Sequence, residues 1–423
     1  MSVSETALGF KLSTTRARIT PHAGLVLVRR MAQRLGVDND LARALDGLKQ
    51  WRRGASPAEQ ALDWVMMLVA GGECGADLRV LRADRGAMDL FGRPGVAPRT
   101  GHDFLARFDR AALDKLSRVV GACAGRVGVE TGATTATLDV DATFIESHKS
   151  TARLSYKGAP GYMPMLGFWA ETQACLLGEF RQGNVSPSAG ALPFLMRLVH
   201  RLPAGVERMR LRSDSAWYQA RVLDWCAARE VEFAVTAVQT EAVVKAIEAL
   251  PASAWRPLAA GAPDEQIAET VHALDGGRQA YRLVVLRHPW RQLELFKGLW
   301  QYRAVITNMA WGAERLVLWH RERATSENWI KELKAGFSLE RPPSGRFENN
   351  AAFMQLALLA YNLIVALRRL ALPASFWNVT LKTVRFHFIH IAALVVRHAR
   401  RLIIKLAEGY HHLGVFRRAL APT

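Results

Sequence analysis

Only four cysteines occur among 423 residues: Cys74, Cys123, Cys175 and Cys226. They are scattered and form no C-x-x-C pair, which excludes a zinc ribbon and a disulfide framework and fits a reducing, cytoplasmic setting. The opening stretch MSVSETALGFKLSTTRARIT has no apolar h-region, so no signal peptide is expected. Long apolar runs are also scarce. The run from Ala351 to Leu367 sits at the lower edge of a spanning length, yet it carries Gln355 and Asn362 and reads as a soluble core helix. The run from Phe386 to Val396 is too short to span, so no membrane partner is expected. There is no internal repeat and no low-complexity tract. Acidic residues are in deficit, with 38 Asp and Glu against 56 Lys and Arg, a net charge of +18. Such a field favours a polyanionic partner. Residues 341–423 hold twelve basic and two acidic side chains, so the excess is concentrated in the tail. Half of all residues are apolar, which excludes a disordered chain.

The texture of the sequence changes along its length. Residues 1–130 read as a helical region, with apolar spacings of three and four in GLVLVRRMAQRLGV and PAEQALDWVMMLVAGG. The turn GRPGVAPRT precedes a helix near Arg107 and Arg110, a pattern open to either a helix-turn-helix reader or ordinary packing. Residues 131–239 bring β-branched alternating runs, beginning with TATLDVDATFI. Three strands in a row followed by strand–helix alternation predict a mixed α/β sheet. Residues 240–318 turn β-rich again and read as an insertion. Residues 319–370 and 371–423 read as helical, the latter basic, with Arg397, Arg400, Arg401 and Lys405 on one helical face.

Acidic residues stand at predicted strand ends. Asp139 and Asp141 share one face of the first strand, and Asp214 ends a later one. Strand-end carboxylates occupy the edge where open α/β sheets bind ligands, although strand-end Asp residues also serve as turn caps. In WHRERATSENWIKELKAG, the residues His320, Arg323, Glu327 and Lys334 fall at helical spacings of three, four and seven. Glu327 is therefore a candidate third carboxylate, although a solvated helix with a pair such as Glu327–Lys331 has the same pattern. Carboxylates without His or Cys partners suit hard cations such as Mg²⁺, with Mn²⁺ as substitute. Two such ions can clamp an in-line phosphoryl displacement. The segment HKSTARLSYKGAPGYMP adds Lys149, Arg153, Tyr156 and Lys157 as a basic loop. His411 and His412 show no ligand spacing and receive no role.

These motifs resemble the DDE transposases of bacterial insertion sequences, in the group with a ribonuclease-H-like core, a β-rich insertion and a Y-x2-R-x3-E-x6-K signature. The match is His320-x2-Arg323-x3-Glu327-x6-Lys334, with His in place of Tyr. The family's D-[GAS]-T motif is matched by Asp141-Ala142-Thr143, and its second Asp by Asp214 in RSDSA. The segments GYMPMLGF, EFRQGN and VVRHARRLIIKLA resemble the insertion-sequence group numbered thirteen-eighty. The resemblance implies an α/β, ribonuclease-H-like mixed sheet core with helical N- and C-terminal regions. It implies Asp141, Asp214 and Glu327 as catalytic ligands of two Mg²⁺ ions, and Arg323, Lys334, Lys331 and His320 beside DNA. Asp139 has the right face but not the motif position. Arg397, Arg400 and Arg401 are expected on DNA phosphates. Some relatives flip a base onto an insertion aromatic, for which Trp300 is preferred over Trp290 and Trp311. The implied partners are terminal inverted repeats, target DNA and a second copy of the chain on paired ends, in a bacterial, nucleoid-associated setting. The residues leave two rivals: a nuclease without strand transfer, and a decayed transposase that only binds DNA.

Overall fold

The computed structural model describes residues 4–5, 11–50, 53–259, 261–262, 264–289 and 300–421. The centre of the molecule is a sheet built from five core strands: β1 (Thr135–Ala142), β2 (Met165–Trp169), β3 (Ala174–Glu179), β4 (Arg208–Ser213) and β5 (Glu232–Thr236). Their order is 3-2-1-4-5, with β1, β4 and β5 parallel and β2 antiparallel to both of its neighbours, β1 and β3. This is the ribonuclease-H-like topology. The middle of β1 and all of β2 are buried on both faces, because helices cover both sides.

The β-rich segment does not stand apart from this core. Strands β6 (Gln266–Ala273), β7 (Ala280–Pro289) and β8 (Trp300–Thr307) form a meander. Its last strand pairs antiparallel with β5, making one nine-stranded sheet that ends in the short strand Arg256–Pro257. Thr236 at the end of β5 pairs with Val305. Trp300, five residues before Val305, therefore projects roughly 17 Å past the carboxyl edge of the core.

Helix packing explains the cover on the sheet. Helix α1 (Pro57–Val69) opens with a capping box between Ser56 and Glu59 and with Pro57 in the first turn. Helix α2 (Arg110–Glu130) is capped by Asp109 and carries Gly121, Gly125 and Gly128. A Cβ on Gly128 would sit 2.0 Å from the Trp169 ring, and one on Gly121 would sit 2.9 Å from the Leu176 carbonyl oxygen. The glycines let the helix lie directly on β2 and β3. Beyond β3 runs a later helix, Phe347–Leu370, whose most apolar stretch is wholly buried inside the protein. Its two interior amides bond to the sheet edge. Asn362 accepts from Cys175 N at 2.8 Å and donates to Cys175 O at 2.9 Å, and Gln355 donates to Gly178 O at 2.8 Å.

The tail departs from its predicted helix. Arg397, Arg400, Arg401 and Lys405 lie on a hairpin of β9 (Ala393–His398) and β10 (Arg401–Leu406), which pairs with Ile19–Thr20 near the N-terminus. The run is rich in Val, Ile and Leu, which favours a strand. The two-residue turn is Ala399-Arg400, both at positive φ (46° and 63°).

Candidate active site

The parallel register of β1 and β4 sets the site. Val140 pairs with Ser213 and Asp139 with Arg212, so Asp214 stands level with Asp141 on the neighbouring strand. Both carboxylates reach the carboxyl edge. Asp214 also caps the turn that follows, accepting from Ala216 N at 3.0 Å. Glu327 comes from a helical segment crossing this edge. Burial pushes the Asp141 carboxyl up to about 6, and Asp214 and Glu327 act in the same direction while Arg323 opposes them. Three carboxylates thus sit within electrostatic reach with only one nearby guanidinium offsetting them. Their oxygens do not form one tight shell of the kind found elsewhere in the described residues. Such an arrangement has the charge and the all-oxygen chemistry for hard divalent cations.

The helical segment changes its winding along its length. It runs as α-helix over Ala313–Arg321, tightens to a 3₁₀ turn at Glu322–Ala324, resumes over Thr325–Lys331 and widens to a π turn at Glu332–Gly336. The four signature residues therefore do not form one stripe. His320 points inward, 8% exposed, with its Nε2 3.1 Å from Ser213 O. This corrects its placement on DNA: it braces the strand end before Asp214, and burial lowers its pKa to about 4, keeping it neutral. Arg323 and Glu327 face the site and contact each other at 3.3 Å. Lys331 is exposed. Lys334, in the π turn, donates to Phe144 O at 2.9 Å, on the segment that follows Asp141. Burial and the nearby Lys157 lower its pKa, opposed by Glu340.

Asp139 is occupied elsewhere. It is fully buried and accepts two hydrogen bonds from Arg212 at 2.7 and 2.8 Å. Burial raises its carboxyl to about 6 and Arg212 opposes the rise. Arg212 also donates to Trp319 O at 2.6 Å and to Glu322 at 3.1 Å, and it lies over the Trp319 ring at 4.9 Å. It ties the two acidic strands to the helical segment that carries Glu327. Arg212 was missed in the sequence, although R-x-D on one strand beside D-x-D on its neighbour is the signal for it.

The basic loop after Asp141 folds into a small three-stranded sheet, 145–146, 153–154 and 160–162. Lys157 lies 5.9 Å from both the Phe144 and Tyr156 rings, and Tyr156 is exposed. Trp300 is half-buried, and the Arg287 guanidinium stacks between it and Trp255 at 4.2 and 4.1 Å. Trp311 has Arg210 and Arg315 over its ring at 4.7 and 4.0 Å. Trp290 lies outside the described residues. Arg107 reaches Gln60 at 3.3 Å, and Arg110 is exposed.

A family model described as transposase DDE domain, group 1, matches residues 8–422. No curated protein matches the sequence. Among solved structures, the chain is similar to the piggyBac transposase in a synaptic complex with hairpin DNA, at 8% identity and a TM-score of 0.46. The match covers 82% of this chain and 74% of that one.

Proposed function

The chain belongs to the transposase DDE domain family, and from that premise we propose that Asp141, Asp214 and Glu327 are the metal-holding residues of its DNA-cutting centre. Enzymes of this family cut DNA with divalent metal ions, and this chain is a DNA transposase. The observation that carries the assignment is the register of β1 and β4, which sets Asp214 beside Asp141, together with the upward pressure that Asp214 and Glu327 exert on the Asp141 carboxyl.

In this reading two Mg²⁺ ions, or Mn²⁺ in their place, supply charge neutralisation and a nucleophile that is active at neutral pH. Asp141 and Asp214 fix the ligand oxygens from adjacent strands, and Glu327 closes the set from the helical segment. Arg323 leaves Glu327 to grip the phosphate beside the scissile bond through charge-assisted hydrogen bonds. Lys334, Lys157 and exposed Lys331 hold the flanking strand. The tail hairpin lays Arg397, Arg400 and Arg401 on the duplex backbone, and Trp300, backed by Arg287, offers a ring face for an unpaired base. The substrates are terminal inverted repeats. Hydrolytic nicking leaves a 3′-OH, whose attack on the opposite-strand phosphodiester forms a hairpin and releases the flanking strand as a 3′-OH; water reopens the hairpin, and each regenerated 3′-OH end joins a target phosphodiester and displaces a target 3′-OH. Two copies act on paired ends, in the bacterial cytoplasm on nucleoid DNA.

The test is cleavage and end joining beside a mobility-shift assay. Asp141→Asn, Asp214→Asn and Glu327→Gln each lose cleavage and keep end binding. Near-normal cleavage by any one removes that residue from the centre. Cleavage without joining to target reduces the enzyme to a nuclease. Arg323→Ala and Lys334→Ala lower single-turnover cleavage of pre-bound ends by roughly 100-fold, since a displacement of about 1 Å at the reacting centre costs that much.

A further inference from the structure

Three imidazoles meet at the base of the tail hairpin, away from the carboxylates. His387 lies in the π turn Arg385–Ile389, ahead of β9. His411 and His412 lie beyond β10, at the start of the last helix, Leu413–Leu420. One ring nitrogen from each falls within 4.8 Å of the other two. His412 Nε2 and His387 Nδ1 are 3.3 Å apart. Two ligand nitrogens on a tetrahedral ion, each about 2.05 Å from the metal, stand roughly 3.3 Å apart, so this pair already spans one edge of such a site.

The surroundings hold these rings in place. Phe376 packs edge-on to both His387 and His412, with centroids 6.0 and 5.4 Å away, and Phe388 lies 5.0 Å from His412. The Tyr410 hydroxyl donates to the His387 carbonyl at 2.7 Å. His411 is exposed, which leaves a path for an ion and a water to enter.

We propose that His387, His411 and His412 form a second metal site, for a borderline transition ion of the Zn²⁺ class, with water in the fourth position. Neutral imidazoles select Zn²⁺, Co²⁺ or Ni²⁺ and reject Mg²⁺, which demands oxygen ligands. The site therefore does not compete with the carboxylate centre for its ion. Its ligands bracket the hairpin: one precedes β9 and two follow β10. A bound ion staples the base of the arm that carries Arg397, Arg400 and Arg401, and holds the last helix beside it.

The test uses the full chain without a polyhistidine tag, stripped with a chelator and titrated with Co²⁺ and then Zn²⁺. Co²⁺ should bind one per chain at this site with the strong visible absorption of a four-coordinate ion, and Zn²⁺ should displace it. The band persists in Asp141→Asn and in Cys74→Ser, which remove the carboxylate centre and the exposed thiol. In His411→Ala, whose exposed ring packs little, affinity falls at least about tenfold, the loss that even outer-sphere changes produce at metal sites. Zn²⁺ should raise the thermal midpoint of the wild type, as any ligand specific to the folded state does, and fail to raise that of His411→Ala or His387→Gln. Absence of the band, its loss in Cys74→Ser or Asp141→Asn, or equal Zn²⁺ stabilisation of wild type and His411→Ala overturns the proposal.

Discussion

Replacing Arg212 with methionine probes the layer beneath the carboxylates. The guanidinium is 3% exposed and holds Asp139, 0% exposed, through two hydrogen bonds of 2.7 and 2.8 Å. Methionine keeps much of the stem volume and removes the charge. Breaking a buried pair from one side costs about 3–5 kcal/mol, because the remaining charge stays desolvated without its partner. The carboxylate escapes part of that cost by taking up a proton, so the deficit depends on pH. Without Arg212 the folded-state pKa of Asp139 moves further above its unfolded value. Between the two, the folded state binds one more proton than the unfolded state, so stability falls as pH rises, by about 1.4 kcal/mol per pH unit. The deficit is smallest below the unfolded pKa and complete above the folded one. Urea transitions of wild type, Arg212→Met, Asp139→Leu and the double variant, at pH 5 and pH 8, measure this. The double variant should recover roughly 1–3 kcal/mol relative to the sum of the singles, since no unpaired charge remains. Additive losses, or an Arg212→Met deficit that is the same at both pH values, would refute the account of a buried, mutually dependent pair.

Acid should destabilise the fold through His320. Its pKa is depressed from 6.5 to about 4, so the unfolded state takes the proton first, and stability falls as pH drops through that window, by up to roughly 3 kcal/mol. His320→Gln keeps a donor for Ser213 O and should flatten this limb; an unchanged limb removes His320 as its source. Ala399→Asn with Arg400→Gly relieves two left-handed non-glycine residues in the hairpin turn and should raise stability by about 1 kcal/mol, read as a higher thermal midpoint. End binding should weaken by orders of magnitude between about 50 and 200 mM salt if some 6–10 phosphates are contacted; a flat profile contradicts a phosphate-dominated interface.

The core was largely legible because its signals are local. The alternation in TATLDVDATFI marks a strand, and the acidic residues at strand ends mark the edge where strands deliver side chains. Features set by pairing between distant segments were not legible. Asp139 and Asp141 share a face, and only the register with β4 shows that Arg212 claims the first and leaves the second beside Asp214. The joining of the β meander to β5 depends on an antiparallel pairing between residues 234–236 and 305–307 that no local pattern announces. In the tail, basic residues recur at helical spacing and the turn, Ala399-Arg400, lacks the Gly or Asn that marks a hairpin, so the local pattern predicts a helix. Uniform helical winding would put His320 on the DNA side with Glu327, whereas the 3₁₀ and π turns rotate the signature residues apart.

The amides of Asn362 and Gln355, bonded to Cys175 and Gly178, bear on how copies of the chain can meet. Backbone groups of a sheet margin that are already engaged by side chains cannot pair with a strand from another molecule. The opposite margin is the two-residue strand Arg256–Pro257, and proline has no N–H to offer there. Both margins of the nine-stranded sheet therefore carry a feature that opposes strand addition. The pairing proposed for two copies on DNA ends then calls on surfaces other than these strand edges.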